Sequence, residues 1–239
     1  MDPVISIILI ALIMLVGGLA LGLLFDRRGF APQWLLAALV LVILNDALLT
    51  NLYGLLPNLV PGNWNWQGKL LALLASLAIA AHPAIGRRRI GITLVQQREG
   101  CGGTLALFAA YCLFFVGLAA MFPNEAPDPE AVAFQLSMPG IEEEVFYRGL
   151  LLVMLNEAFR GRWNAAGVQW GWSALLTSVL FGLAHAFSYS LADGIGFDPM
   201  IMAMTFVPSF LAVWMRERSG SLLLPVLAHN FGNSIFFFV

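Results

Sequence analysis

The sequence predicts an all-α fold, a polytopic membrane helix bundle of about eight transmembrane helices. Three observations point there. Hydrophobic residues make up 60% of the 239 and charged residues 11%, where a soluble domain carries about 25% charged residues. The mean hydropathy is +0.84. The apolar residues come in continuous runs of about 20, the length a helix needs to cross a hydrocarbon core. Continuous rather than alternating runs favour helices over a barrel.

Taken in order, the runs are 4–25, 33–56, 69–85, 104–122, 139–159, 170–189, 199–215 and 221–238. The first is too long for a signal-peptide core of about 7–15 residues and has no basic residues before it, so it reads as a span. Gly and Pro punctuate the gaps, as in Leu56-Pro57-Asn58 and Val60-Pro61-Gly62. Trp64 and Trp66 suit interfacial anchors, and Phe236 to Phe238 suit a lipid-facing tail. The longest polar stretch, 123–130, reads as a short loop leading into an interfacial helix that ends near Met138. There is no internal repeat. Residues 1–239 form a single integral membrane domain, with four motif-free helices in 1–125 and a four-helix region in 139–239.

Charge placement gives an orientation. Arg27, Arg28, Arg87, Arg88, Arg89, Arg98, Arg160, Arg162, Arg216 and Arg218 all fall on one side of an eight-span chain, with Lys69 on the other and Arg148 inside a span. Cytoplasmic loops are enriched in Lys and Arg, so these ten arginines are expected in the cytoplasm. Both termini, and the acidic loop with Glu125, Asp128 and Glu130, are then expected outside a multi-pass cell-membrane protein. The net charge of −2 gives no sign of a nucleic-acid partner. Cys101 and Cys112 lack CxxC spacing and suggest neither a disulfide framework nor a zinc knuckle.

Polar residues inside spans are functional suspects, because ionisable groups there cost about 2.5–3.5 kcal/mol each on insertion scales. Span five opens Gly140-Ile141-Glu142-Glu143-Glu144-Val145-Phe146-Tyr147-Arg148. Span six contains Phe181-Gly182-Leu183-Ala184-His185, and span eight His229-Asn230-Phe231-Gly232-Asn233. Glu144 and Arg148, at i,i+4, can pair on one helix face. Glu143 points about 100° away and has no obvious local partner, the situation in which an apolar cavity drives a carboxylate toward neutrality. Such a group suits a general base. Glu142 reads as a solvated acid at a helix N-terminus. His229 and Asn233 share a face. The eight-span alternation sets these residues at a similar depth, so a site is expected between spans five, six and eight. His82 is expected to be structural, and mid-span Asn45 and Asp46 to make an interhelix bond.

At this point the chain resembles a known family. Glu143-Glu144-x-x-x-Arg148, Phe181-x-x-x-His185 and His229-x-x-x-Asn233 are similar to the motifs of the CPBP intramembrane proteases. That family includes type II CAAX prenyl endopeptidases and bacterial self-immunity proteins. The resemblance implies that Glu143 with His185 activates a water, that His229 and Asn233 form the oxyanion hole, and that Glu144 and Arg148 organise the site. Weak points at Gly182 and Gly232 would admit an extended substrate. The implied partners are membrane lipid and a peptide or membrane-anchored protein. Eukaryotic relatives process prenylated tails at a cytosol-facing site, whereas the arginine count sets this site toward the outer face.

No cofactor is expected. One Glu and two His also suit a zinc site, but there is no HExxH, and Asn233 is a poor zinc ligand. A serine protease would want an elbow such as Gly-x-Ser-x-Gly, which is absent. Asp46 and Asp198 are wrongly placed for an aspartyl dyad. A non-catalytic scaffold or immunity protein is the alternative class. A transporter would show broken helices in two related halves, and no such symmetry is present.

Overall fold

The computed structural model describes residues 2–122 and 128–239. Met1, Glu125 and the first part of the predicted 123–130 loop lie outside the described residues. The fold is an all-α membrane helix bundle. It opens with α1 (Pro3–Phe25), α2 (Pro32–Leu49), a single left-handed turn α3 (Asn51–Gly54), α4 (Trp66–Ala81) and α5 (Arg98–Met121). A short α6 (Pro129–Gln135) follows, as the interfacial helix was expected to. Span five is helical throughout but not uniform. It runs as α7 (Met138–Glu143), a π-helical stretch (Glu144–Leu151) and α8 (Leu152–Ala158). Then come α9 (Trp172–Ala186), α10 (Pro199–Ser219), α11 (Leu223–Ser234) and a 3₁₀ turn (Ile235–Phe237).

α1, α2, α5 and α10 are long and apolar enough to cross a membrane; α4 and α9 are shorter apolar helices. Two small antiparallel hairpins sit in the connections. β1 (Trp163–Ala165) pairs with β2 (Val168–Trp170), and β3 (Phe187–Ser190) pairs with β4 (Gly194–Phe197). Two expected spans are therefore too long. Span six ends at Ala186 because Phe187 turns extended into β3. Span two ends at Leu49, where the Thr50 hydroxyl donates to the Asp46 and Ala47 carbonyls and Asn51 to Tyr53 go left-handed.

The helices alternate in direction. At one end the arginine-bearing connections meet. Gly161 N donates to Asp26 at 2.9 Å, Arg89 pairs with Glu157, Arg216 donates to the Arg89 carbonyl, and Arg218 reaches Gly167 O at 2.7 Å. At the other end Asn65 Nδ2 donates to Leu49 O at 2.9 Å, and Asp2 N donates to Tyr189 O at 2.7 Å. Glu130 gathers the Asn63 and Trp64 amides and the Trp66 indole there. Trp64 and Trp66 thus also hold α6, the first stacked on Phe134 and the second edge-on to it, with ring centres 5.0 Å away in each case.

Span five is the axis of the bundle. From Val145 to Leu155 every residue is buried, against α2, α4 and α9. α5, by contrast, buries only Gly100, Thr104, Phe115 and Ala119 and turns most of its surface outward. That is how a helix facing lipid differs from one surrounded by protein.

Candidate active site

The three glutamates at the start of span five point into the bundle rather than into solvent. Their backbone is prepared by Asn230 of α11. Its side-chain oxygen accepts from Gly140 N at 2.7 Å, and its amide donates to Ser137 O at 3.2 Å. One free N–H of the helix N-terminus is thereby satisfied inside the protein. A Cβ on residue 140 would collide with that same Asn230 oxygen, so the close approach requires glycine.

From Glu144 onward the helix widens into π geometry. Such stretches re-aim side chains and recur at functional sites. Here Arg148 Nη1 lies 3.1 Å from Glu144 Oε1, the i,i+4 pair expected from sequence, and both side chains are almost completely buried. The guanidinium also sits 4.3 Å from the centre of the Phe181 ring, a cation–π contact that helps compensate its loss of water. Phe181 lies against His185 in turn, with ring centres 4.5 Å apart.

Two imidazoles face Glu143. His229 Nδ1 donates to Glu144 Oε1 at 2.8 Å, and His185 Nδ1 donates to the Phe181 carbonyl at 2.8 Å. A carboxylate and a carbonyl only accept, so each Nδ1 carries the proton. The Nε2 atoms are left to face Glu143 Oε2, at 3.6 Å from His229 and 4.0 Å from His185. Glu143 Oε2 is buried and has no hydrogen-bond partner among the described residues.

Glu143 does have a partner for its other oxygen, against the sequence expectation. Lys69 Nζ of α4 lies 2.5 Å from Glu143 Oε1 and 2.7 Å from Glu142 Oε2. Glu142 is fully buried, not the solvated helix-end acid expected. The reason is tertiary: α4 packs along α7 and brings a cation to both acids. Sequence reasoning placed Lys69 on the correct side and missed its part in the site. The available signal was that this residue is the only lysine in the chain, at the start of an apolar run.

Glu143, Glu144, Arg148, His185, His229 and Asn233 all line one cavity of about 540 Å³. It is far larger than the water-sized space that four converging side chains suggest, and is large enough for several residues of an extended peptide. Asn233 stands at its rim, its amide donating to Gln135 Oε1 of α6 at 3.1 Å. Among the described residues its side chain makes no hydrogen bond to Glu143 or His229. Gly182 and Gly232 are not weak points: both lie inside regular helices, closely packed on Met202 and on the Tyr111 hydroxyl. The irregular segment is the π stretch.

Asp46, Asp198 and His82 are bonded within their own stretches of chain. Asp46 accepts from the Tyr53 hydroxyl at 3.1 Å in the α3 turn, not from another helix of the bundle. Asp198 caps α10, accepting from Met200 N and Ile201 N. His82 follows the last residue of α4 and accepts from Ala84 N. Cys101 and Cys112 are free thiols.

For zinc, the donors must converge on one ion. Among the described residues no group of three His, Cys, Asp or Glu side chains is arranged to do so. The Lys69 ammonium also already stands beside Glu143 with its own positive charge.

Residues 129–235 match the family model described as Type II CAAX prenyl endopeptidase Rce1-like. No curated protein and no solved structure matches the chain. All three motifs fall within the matched segment, while Lys69 and the first five helices fall before it. Over residues 129–235, then, this chain is similar to the Rce1-like type II CAAX prenyl endopeptidases, the family that its motifs resemble.

Proposed function

We propose that the protein is an intramembrane endopeptidase that hydrolyses a peptide bond of a membrane-anchored protein with a water activated by Glu143. One observation carries the reading: Glu143 Oε2 is buried, has no partner, and faces the two histidine Nε2 atoms across the wall of a substrate-sized cavity. A water there can donate one hydrogen to Glu143 Oε2 and the other to His185 Nε2. Its lone pair is then free for a carbonyl carbon in the cavity. Glu143 takes the proton as the C–O bond forms.

The tetrahedral oxyanion needs a donor in place. His229 provides one when both of its ring nitrogens carry hydrogen, with Nδ1–H held by Glu144 and Nε2–H turned to the cavity. Asn233 joins as a second donor when substrate at the rim displaces its bond to Gln135. On collapse, the leaving amine receives the proton from Glu143, and the site returns to its starting state. Arg148 balances Glu144 within the low-dielectric interior, where an uncompensated charge would be costly.

The test is mass spectrometry of membrane-protein termini in cells with the active chain and with Glu143→Ala. A cleaved terminus present only with the active chain is expected. Identical termini, with the variant folded normally, favour the scaffold reading.

The convergence of the arginine connections supports placing that end in the cytoplasm. The cavity then opens toward the opposite face, which suits exported or membrane-anchored substrates better than tails processed in the cytosol. An Arg88→Cys thiol, exposed at the arginine end, should react with a membrane-impermeant reagent only from the cytoplasmic side. Labelling from outside reverses the orientation.

A further inference from the structure

Lys69 lies outside the segment that carries the family motifs, in the first turn of α4, yet it touches two of the three glutamates. Its side chain is 11% exposed. A second cavity, of about 320 Å³, lies on its far side, lined in part by Ser6, Asn45, Asp46 and Thr50. Lys69, Glu143 and His185 line both cavities and so form the partition between them. A carboxylate on such a partition has two directions in which to turn. Only one of them faces both histidines.

We propose that Lys69 is a positioning residue for Glu143. Its ammonium holds Oε1 on the α4 side through an ion pair. Oε2 is thereby committed to the side where His185 and His229 face it. The same ammonium balances Glu142, which otherwise would be a second buried negative charge beside the first. Among the described residues, the hydrogen bonds and ion pairs of Lys69 go to Glu142 and Glu143, so it acts on the site through those carboxylates. This inference rests on the protease reading for its catalytic consequence and on the ion pairs alone for its effect on Glu143.

The experiment uses the full chain in detergent or proteoliposomes, as wild type, Lys69→Met and Lys69→Arg. The first readout needs no substrate. Dicyclohexylcarbodiimide enters apolar sites and adds to protonated carboxyl groups, giving a stable N-acylurea that peptide mass spectrometry locates. Glu143 should stay unmodified in wild type and in Lys69→Arg, and should be modified in Lys69→Met. The second readout is cleavage of a membrane-anchored substrate. Lys69→Met should lower kcat about 100-fold, the effect of misplacing a reacting group by about 1 Å. KM should stay within about twofold, because no ground-state contact is lost. Lys69→Arg should recover most of the rate.

If Lys69→Met does not fold, Lys69→Met/Glu142→Gln removes one buried charge of each sign and carries the same test. Equal modification of Glu143 in wild type and variant, or an unchanged kcat with only a lower Tm, overturns the proposal by making Lys69 purely structural. The expected labelling pattern in a wild-type protein that cleaves nothing supports Lys69 as the holder of Glu143 and overturns the protease reading instead.

Discussion

The two halves of this molecule treat charge differently. In α1, α2 and α4 the charged side chains come singly: Asp46 is answered by a tyrosine seven residues away, and Lys69 is the one charged residue of α4. From α7 onward they come in linked sets. Glu144 holds Arg148 and His229 together, Phe181 joins Arg148 to His185, and Glu143 faces both imidazoles. The second half carries a network whose members depend on one another, while the first supplies a wall and one cation. Linked charges can be kept in a low dielectric only if each is satisfied. The network therefore occupies the most enclosed helix of the bundle, and the isolated groups lie at helix ends.

That difference can be broken by substitution. The largest effect is expected at Arg148→Met. It leaves Glu144 buried without its cation and should cost about 3–5 kcal/mol of stability. This is read as a lower thermal midpoint in detergent, with part of the loss recovered in Arg148→Met/Glu144→Gln. A single variant as stable as wild type would show that His229 alone satisfies Glu144 and that the network is looser than its geometry suggests. The smallest effect is expected at Asp46→Asn. The amide oxygen can still accept from Tyr53, so stability should change by less than about 1 kcal/mol, as for a substitution that removes no buried pair. Cleavage should continue at nearly the wild-type rate. A large loss of cleavage at Asp46→Asn would mean that the second cavity takes part in the reaction, and the contrast between halves would fail.

The site was partly legible because helical spacing carries information over one turn. Glu144 and Arg148 were paired on i,i+4 spacing alone, and they do meet. Equal depth from the topology put His185 and His229 at the level of Glu143, and both Nε2 atoms face it. Contacts between spans left no periodic trace. The pairing of Lys69 with Glu142 and Glu143 joins residues more than seventy positions apart, and the bond from Gly140 to Asn230 joins residues ninety apart. Asn233 shows the opposite failure. Its spacing from His229 is right for a shared face, but Gln135 on another helix holds it at the rim.

By itself the sequence determined the class of solvent, the all-helical bundle and the end of the bundle where the acids and histidines lie. Those follow from length, composition and alternation, because a backbone in hydrocarbon must satisfy its own hydrogen bonds and so has few choices. Only the tertiary structure decided which carboxylate oxygen is free. That choice depends on α4 packing beside α7 and on the π turn that aims Glu144 at His229, and side-chain contacts between helices have no repeat from which a sequence could be read.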